Sequence, residues 1–174
     1  MKQKKLQFDR ALRMAVRETG MKKRNWQGER IMTSEFCVAV HALVFLHHNQ
    51  GFWSSESLAQ NICTNPARIR KVMAKLKKAN LIETKEGAVG GYRSLCDSEK
   101  VTLGQIGRAV EARFVTTSWH SGNADLKCLI ASGMADIMDG LYQELDEMCK
   151  SRLDQITLRD IEHRVFHNNT MHQK

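Results

Sequence analysis

No stretch of this sequence is apolar for long enough to cross a bilayer. The longest run, Val38 to Leu46, is less than half of what a spanning helix needs, and no signal-peptide cleavage pattern accompanies it. No membrane is therefore expected as a partner, and the cytoplasm is the expected location. Five cysteines, an odd number at irregular spacing, make no disulfide framework, so reduced thiols are the default. Catalytic signatures are missing as well. Gly87 to Gly91 lacks the strand-to-helix context and the lysine of a phosphate-binding loop, and no nucleophile motif appears. An enzyme is not expected. His163 and His167 are four apart, and His41, His47 and His48 cluster, but no cysteine or carboxylate completes a metal-ligand set. The single proline, Pro66, marks the most informative segment of the chain.

Pro66 opens a helix expected to run to Ala79, with Asn65 as its N-cap. Proline at the first helical position sacrifices no hydrogen bond. Ile69, Val72, Met73 and Leu76 recur at helical spacing and form one buried stripe. Arg68, Arg70, Lys71, Lys75, Lys77 and Lys78 fill the other faces with no acid among them. A helix anchored on one side and cationic on the other suits a polyanion. The net charge of +8 is weaker evidence for this than it looks. Residues 1–31 hold ten basic and three acidic residues, leaving only +1 for the rest of the chain. Local concentration in the Arg68–Lys78 helix carries the argument.

Around that helix the pattern is mostly α. Residues 1–31 are a basic extension in which Phe8, Leu12, Ala15 and Val16 fit one side of a short helix, read either as an arm touching DNA or membrane or as a solvated tail. Gln27 to Arg30 can be encoded by a purine-rich stretch resembling a bacterial ribosome-binding site, so Met32 is an expected start and the first 31 residues a possible leader. Ser34 to about His48 reads as a core helix, ended by Gly51. Ser54 or Ser55 caps a short helix, Glu56 to Ile62, and Cys63-Thr64-Asn65 turns into the basic helix. Leu81–Thr84 and Tyr92–Leu95 are expected strands around the glycine-rich tip, whose glycines allow positive φ and a close approach to a groove. Thr102 caps a helix to about Glu111.

A long helix is expected from about Asp125 to Leu153, with a short helix, Leu158 to Phe166, after it. Leu126, Ile130, Met134, Ile137, Leu141, Leu145 and Met148 repeat at three-four spacing along it. The helix is longer than this globule's own core requires, so pairing with the same helix of a second subunit is the economical reading; packing on the first helix is the alternative. The expected organisation is a basic extension (1–31), a DNA-binding domain (32–98), a connecting helix and loop (99–124), a dimerisation segment (125–168) and a polar tail (169–174).

These elements in this order resemble the Rrf-two family of bacterial winged helix-turn-helix transcription regulators. The likeness is carried by Phe36 to Leu43, Ser57-Leu58-Ala59, Asn65 to Lys71, Leu76 to Ile82, Gly90 to Arg93 and Thr102 to Ile106. The resemblance implies a homodimer that binds a partly palindromic operator through two recognition helices and two wings. Relatives holding an iron–sulfur cluster use three cysteines after the Thr102 helix. Here Phe114 to Ile130 contains only Cys128, with His120 and Asp125 nearby. One thiolate does not hold a cluster, so the likeness is to the cluster-free branch and no cofactor is expected. A family arginine of the wing falls at Glu86, which leaves Lys85 or Arg93 to serve in its place.

On these grounds Asn65, Arg68 and Lys71 are expected at base edges, with Ala67 beside them, and Arg70, Lys75 and Lys78 at phosphates. A helical wheel points Ala67, Arg68, Lys71, Lys75 and Lys78 away from the buried stripe. Cys63, just before a helix N-terminus and near Arg68, is a candidate thiol switch, with ordinary packing as the alternative. Cys37 and Cys149 read as packing residues, and Cys96 as an exposed one. The expected function is a DNA-binding repressor answering a small molecule, a thiol event or a partner protein. The alternative is a winged-helix interaction module with weak, sequence-blind DNA binding.

Overall fold

The computed structural model describes residues 33–87 and 90–168. The basic extension, the Met32 start, the tip residues Ala88 and Val89, and the tail from residue 169 lie outside the described residues. The architecture is a winged helix-turn-helix unit followed by a long helix, mostly α with one small hairpin.

The first helix, α1 (Thr33–Asn49), is apolar on most of its surface because other elements cover it from several sides. Ala39, Ala42, Leu43 and Leu46 on it are essentially inaccessible. Next comes α2 (Ser55–Ile62), where the Ser54 hydroxyl accepts from the Ser57 amide at 3.2 Å. Cys63 closes α2 in the left-handed conformation, at φ 55°. That residue turns the chain into α3 (Pro66–Lys78), where the Asn65 side chain accepts from the Arg68 amide at 2.7 Å. Ile69, Val72, Met73 and Leu76 are fully buried, as their spacing requires. Each contributes about 1.5–3 kcal/mol relative to exposure.

The wing strands are β1 (Ile82–Lys85) and β2 (Gly91–Ser94), antiparallel, with Ile82 opposite Ser94 and Lys85 opposite Gly91. Both differ slightly from the expected limits. Leu81 is held outside β1 because its amide bonds back to the Leu76 carbonyl at 3.0 Å and so finishes the helix instead. Trp53 adds a third edge to the sheet, exchanging two backbone hydrogen bonds with Tyr92. Gly91, at φ 148°, sits where a Cβ would run into the Trp53 carbonyl. The chain's own packing therefore requires a glycine here.

Helix α4 (Leu103–Ala109) starts with a complete capping box between Thr102 and Gln105. The long helix α5 (Leu129–Leu153) follows, and then α6 (Leu158–Asn168). Two backbone bonds, Leu103 to the Ile156 carbonyl and Leu158 to the Val101 carbonyl, tie the end of α5 to the start of α4. Helix α5 begins later than its hydrophobic repeat implies. The Asn123 side chain accepts from the Asp125 amide at 3.0 Å, and the Asn123 carbonyl from Leu126, so a turn displaces the first helical residues. Leu126 thus precedes the helix. At about 37 Å α5 is long for the domain, and Asp146 is its only buried residue. Ile130, Ile137, Leu141, Leu145 and Met148 are exposed, and Met134 is half-buried. The alternative in which this stripe packs on the first helix is not what the fold adopts.

Candidate nucleic-acid interface

Helix α3 presents its N-terminal turn and one long face outward. Ala67, Lys71, Ala74 and Lys78 are exposed and lie opposite the buried stripe, at the i, i+4, i+7, i+11 spacing of one helical row. Alanine at two of the four positions keeps the centre of that row low, so the backbone can approach a groove. Ala74 was not singled out from the sequence, although its place in the row was readable there.

The two flanks are tied down. On one, the Arg68 guanidinium donates to the Ser34 hydroxyl at 2.6 Å. Lys71 lies 2.6 Å and Lys75 3.1 Å from the Glu35 carboxylate in the first turn of α1. On the other flank Arg70 donates to the Ser55 hydroxyl at 3.1 Å and pairs with Glu56 at 3.2 Å. The Lys71 hydrogen bond, with help from Lys75, holds the Glu35 carboxyl below its ordinary range in spite of partial burial. Acids of α1 and α2 therefore hold three of the helix's cations while the protein is free.

Lys75 is engaged within the fold. Its ammonium reaches sideways to the Val110 carbonyl at 3.0 Å and the Glu111 carboxylate at 3.0 Å as well as to Glu35. On the helix Lys75 lies near Arg68, about 120° from the buried stripe rather than opposite it. In the free protein it is a buttress between α1, α3 and the end of α4.

The wing carries a second cationic group. Lys85 and Arg93 lie over the Phe52 ring, at 5.7 and 4.9 Å from its centroid, and Arg93 also pairs with Glu83. These contacts hold both cations against the Phe52 ring. Glu86 is exposed beyond them.

Cys63 lies close to the interface in sequence, but its setting differs from the expected one. It is exposed and forms the C-terminal cap of α2, with its thiol 3.9 Å from the Gln60 carbonyl. Cys37 is exposed rather than packed, whereas Cys149 is half-buried. Cys96 is half-buried, its thiol 3.2 Å from the Leu81 carbonyl, and burial pushes its pKa up. The histidines are engaged elsewhere: His47 lies 2.6 Å from Glu162, and His163 stacks on His167. Among the described residues no group of three or more His, Cys, Asp or Glu side chains is placed to hold a metal ion. Nor is any described helix long and apolar enough to cross a membrane.

A family model, Rrf2, described as an iron-dependent transcriptional regulator, matches residues 32–164. YwnA of Bacillus subtilis, a candidate helix-turn-helix-type transcriptional regulator, is 24% identical over 136 residues, covering 78% of this chain and all of the relative. The helix-turn-helix-type regulator IscR of Photobacterium profundum is 26% identical over 132 residues, covering 75% of this chain and 74% of the relative. In fold the chain is similar to the crystal structure of a candidate transcriptional regulator of Lactobacillus plantarum, with TM-score 0.68, 23% identity and coverage of 82% of this chain and 96% of the other. CymR, the global cysteine regulator of B. subtilis, aligns with TM-score 0.52 and 21% identity over 74% of this chain and 93% of its own. These relatives are transcription regulators and not enzymes. The donor set here does not suit an iron–sulfur cluster. Cys128 is the one thiol between α4 and α5, and it is exposed without a second thiol beside it in sequence.

Proposed function

The chain belongs to the Rrf2 family of DNA-binding transcription regulators, and from that premise we propose that it acts as a homodimeric repressor of a partly palindromic operator. One observation carries the reading. In the second helix of the helix-turn-helix, a fully buried stripe backs an exposed row of Ala67, Lys71, Ala74 and Lys78. Asn65, Arg68 and Lys71 at the start of α3 are the candidates for base edges, with Arg68 able to present two donors to a guanine. Arg70, Lys78, Lys85 and Arg93 are the candidates for phosphate.

The exposed apolar face of α5 supports the dimer. Ile130, Ile137, Leu141, Leu145 and Met148 lie on one side of a helix whose other side carries the charges, with Leu126 just before it and the half-buried Met134 within the stripe. A monomer rarely exposes such a continuous apolar stripe. Two copies joined there would carry two α3 helices, matching a two-fold operator.

A gel shift with the DNA upstream of the protein's own gene, at several salt concentrations, tests the function. The expected result is a specific complex with a palindromic site, formed by a species that sediments as a dimer. Acids holding Arg70, Lys71 and Lys75 favour a second reading, an interaction module that touches DNA only weakly. Steeply salt-sensitive binding without sequence preference would select it.

A further inference from the structure

A polar cavity of about 430 Å³ lies between the 113–120 loop and helix α5. Its size is within the range of small-molecule sites. Its wall has a defined charge pattern. Asp146, almost fully buried, accepts from the Phe114 amide at 2.6 Å, the Val115 amide at 3.1 Å and the Lys150 ammonium at 2.9 Å. Lys150 also reaches Glu147 at 2.7 Å, so this group is satisfied internally. Two charges on the wall are not. Arg113 has no ion pair or hydrogen bond among the described residues, and Asp139 meets only His120, at 3.2 Å. A lone anion would answer Arg113 but face Asp139, and a lone cation the reverse. A ligand carrying both charges answers both, while Thr117 and Tyr142 add hydroxyls to the lining.

The cavity also stays clear of the surface assigned to the second subunit. Asp139, Tyr142, Asp146 and Lys150 lie on one face of α5, whereas Ile137, Leu141, Leu145 and Met148 lie roughly half a turn away. Its loop touches α1, and the residues just before the loop touch α3. Phe114 packs edge-on against Phe36 at 5.0 Å, one residue from Glu35, and Glu111 and the Val110 carbonyl hold Lys75.

We propose that this cavity binds a free α-amino acid, its carboxylate on Arg113 and its ammonium on Asp139. Occupancy would displace the 113–117 loop and, through Phe114–Phe36 and Glu111–Lys75, alter the placement of Lys71 and Arg68. The binding step stands independently of the DNA reading; the effect on DNA rests on it.

Calorimetry and thermal denaturation of the full chain with each standard α-amino acid test the site, using the matching decarboxylated amines and deaminated acids as controls. At least one amino acid is expected to bind, with its singly charged analogues at least about tenfold weaker, the loss of one charge-assisted hydrogen bond. Arg113→Ala and Asp139→Asn should each weaken it by a similar factor, and both positions are exposed enough to change without unfolding the protein. Failure of every amino acid to bind, equal binding of the singly charged analogues, or binding indifferent to both substitutions would overturn the site. Fluorescence anisotropy on operator DNA with and without the amino acid then tests the coupling. Binding that leaves DNA affinity unchanged overturns the coupling alone. Absence of any operator binding in either condition overturns the regulator reading and leaves the site standing.

Discussion

Lys71, in the exposed row of α3, lies 2.6 Å from Glu35 at the start of α1. On the proposed DNA reading, the acid that completes the fold around α3 would compete with DNA for this cation. Glu35→Gln should release Lys71 and remove a negative charge beside the approaching phosphates. A pair with one well-exposed partner is worth up to about 1 kcal/mol, so DNA affinity should rise about twofold to fivefold. Anisotropy titrations of wild type and variant would read this directly. Unchanged or weaker binding would mean that Glu35 positions Lys71 for DNA rather than withholding it.

Arg68 rests on the Ser34 hydroxyl at 2.6 Å and must leave it to reach a base. Arg68→Ala should cost roughly 1–3 kcal/mol on the operator and relax one base preference, with a much smaller effect on random DNA. Arg68→Lys should recover little, because an ammonium cannot present the paired donors of a guanidinium. Ser34→Ala, by contrast, should leave base preference intact. Equal losses on operator and random DNA from Arg68→Ala would remove it from base readout.

Lys75 should behave differently from its neighbours on the helix. Lys75→Met keeps the aliphatic stem but loses the bonds to the Val110 carbonyl, Glu111 and Glu35. The expected effect is a loss of about 1 kcal/mol in stability, the net worth of a typical hydrogen bond. The salt dependence of DNA binding should not change. Lys78→Ala should do the opposite, holding stability and lowering the salt slope by about one unit. Thermal melts beside binding isotherms separate the two; a lowered salt slope for Lys75→Met would return it to the phosphate contacts.

The contrast between Lys75 and Ile69 shows what was legible in the sequence. Ile69, Val72, Met73 and Leu76 were readable because helical spacing alone dictates which side is buried. Asn65-Pro66 and Thr102 with Gln105 were readable because their caps are local chemistry. The partners of Lys75 were not readable, because Glu35 and Glu111 are distant in sequence and only the fold brings them together. That Cys63 caps α2 was hidden for a related reason: the same residue ends one helix and nearly begins the next, and only the backbone angle shows the cap. The start of α5 was hidden by the Asn123 turn, which interrupts helix geometry beneath an uninterrupted apolar repeat. The cavity beside Asp146 left no sequence signal, since its charges come from a loop and a helix more than twenty residues apart.

Gly91 should prove structurally strict. Its φ of 148° is a region that side-chain-bearing residues rarely adopt, and an added Cβ would press on the Trp53 carbonyl. Gly91→Ala should therefore cost at least about 2 kcal/mol, from backbone strain and steric overlap together. It should also loosen the Trp53–Tyr92 pairing, read as faster amide exchange at both residues. Gly87 is a useful contrast. It too has positive φ, but a Cβ there meets nothing, so Gly87→Asn should be tolerated better. Equal losses at the two positions would show that close approach to Trp53 is not what Gly91 supplies.

Asp146 should give the protein an acid-sensitive step. Burial raises the cost of its charge, but Lys150 and the Phe114 and Val115 amides outweigh that and hold its pKa below the ordinary carboxylate value. A carboxyl with a depressed folded-state pKa stabilises the fold above the unfolded value, about 3.9, and that contribution is lost as pH falls through the folded value. Asp146→Ala should cost about 2–3 kcal/mol at neutral pH, because two amides and an ammonium lose their acceptor. Below about pH 4 the gap between wild type and variant should narrow, since protonation removes the same charge from the wild type. Denaturant unfolding of both proteins across pH 2–7 measures that gap. A difference that stays constant across the whole range would show that the side chain acts through packing and not through its charge.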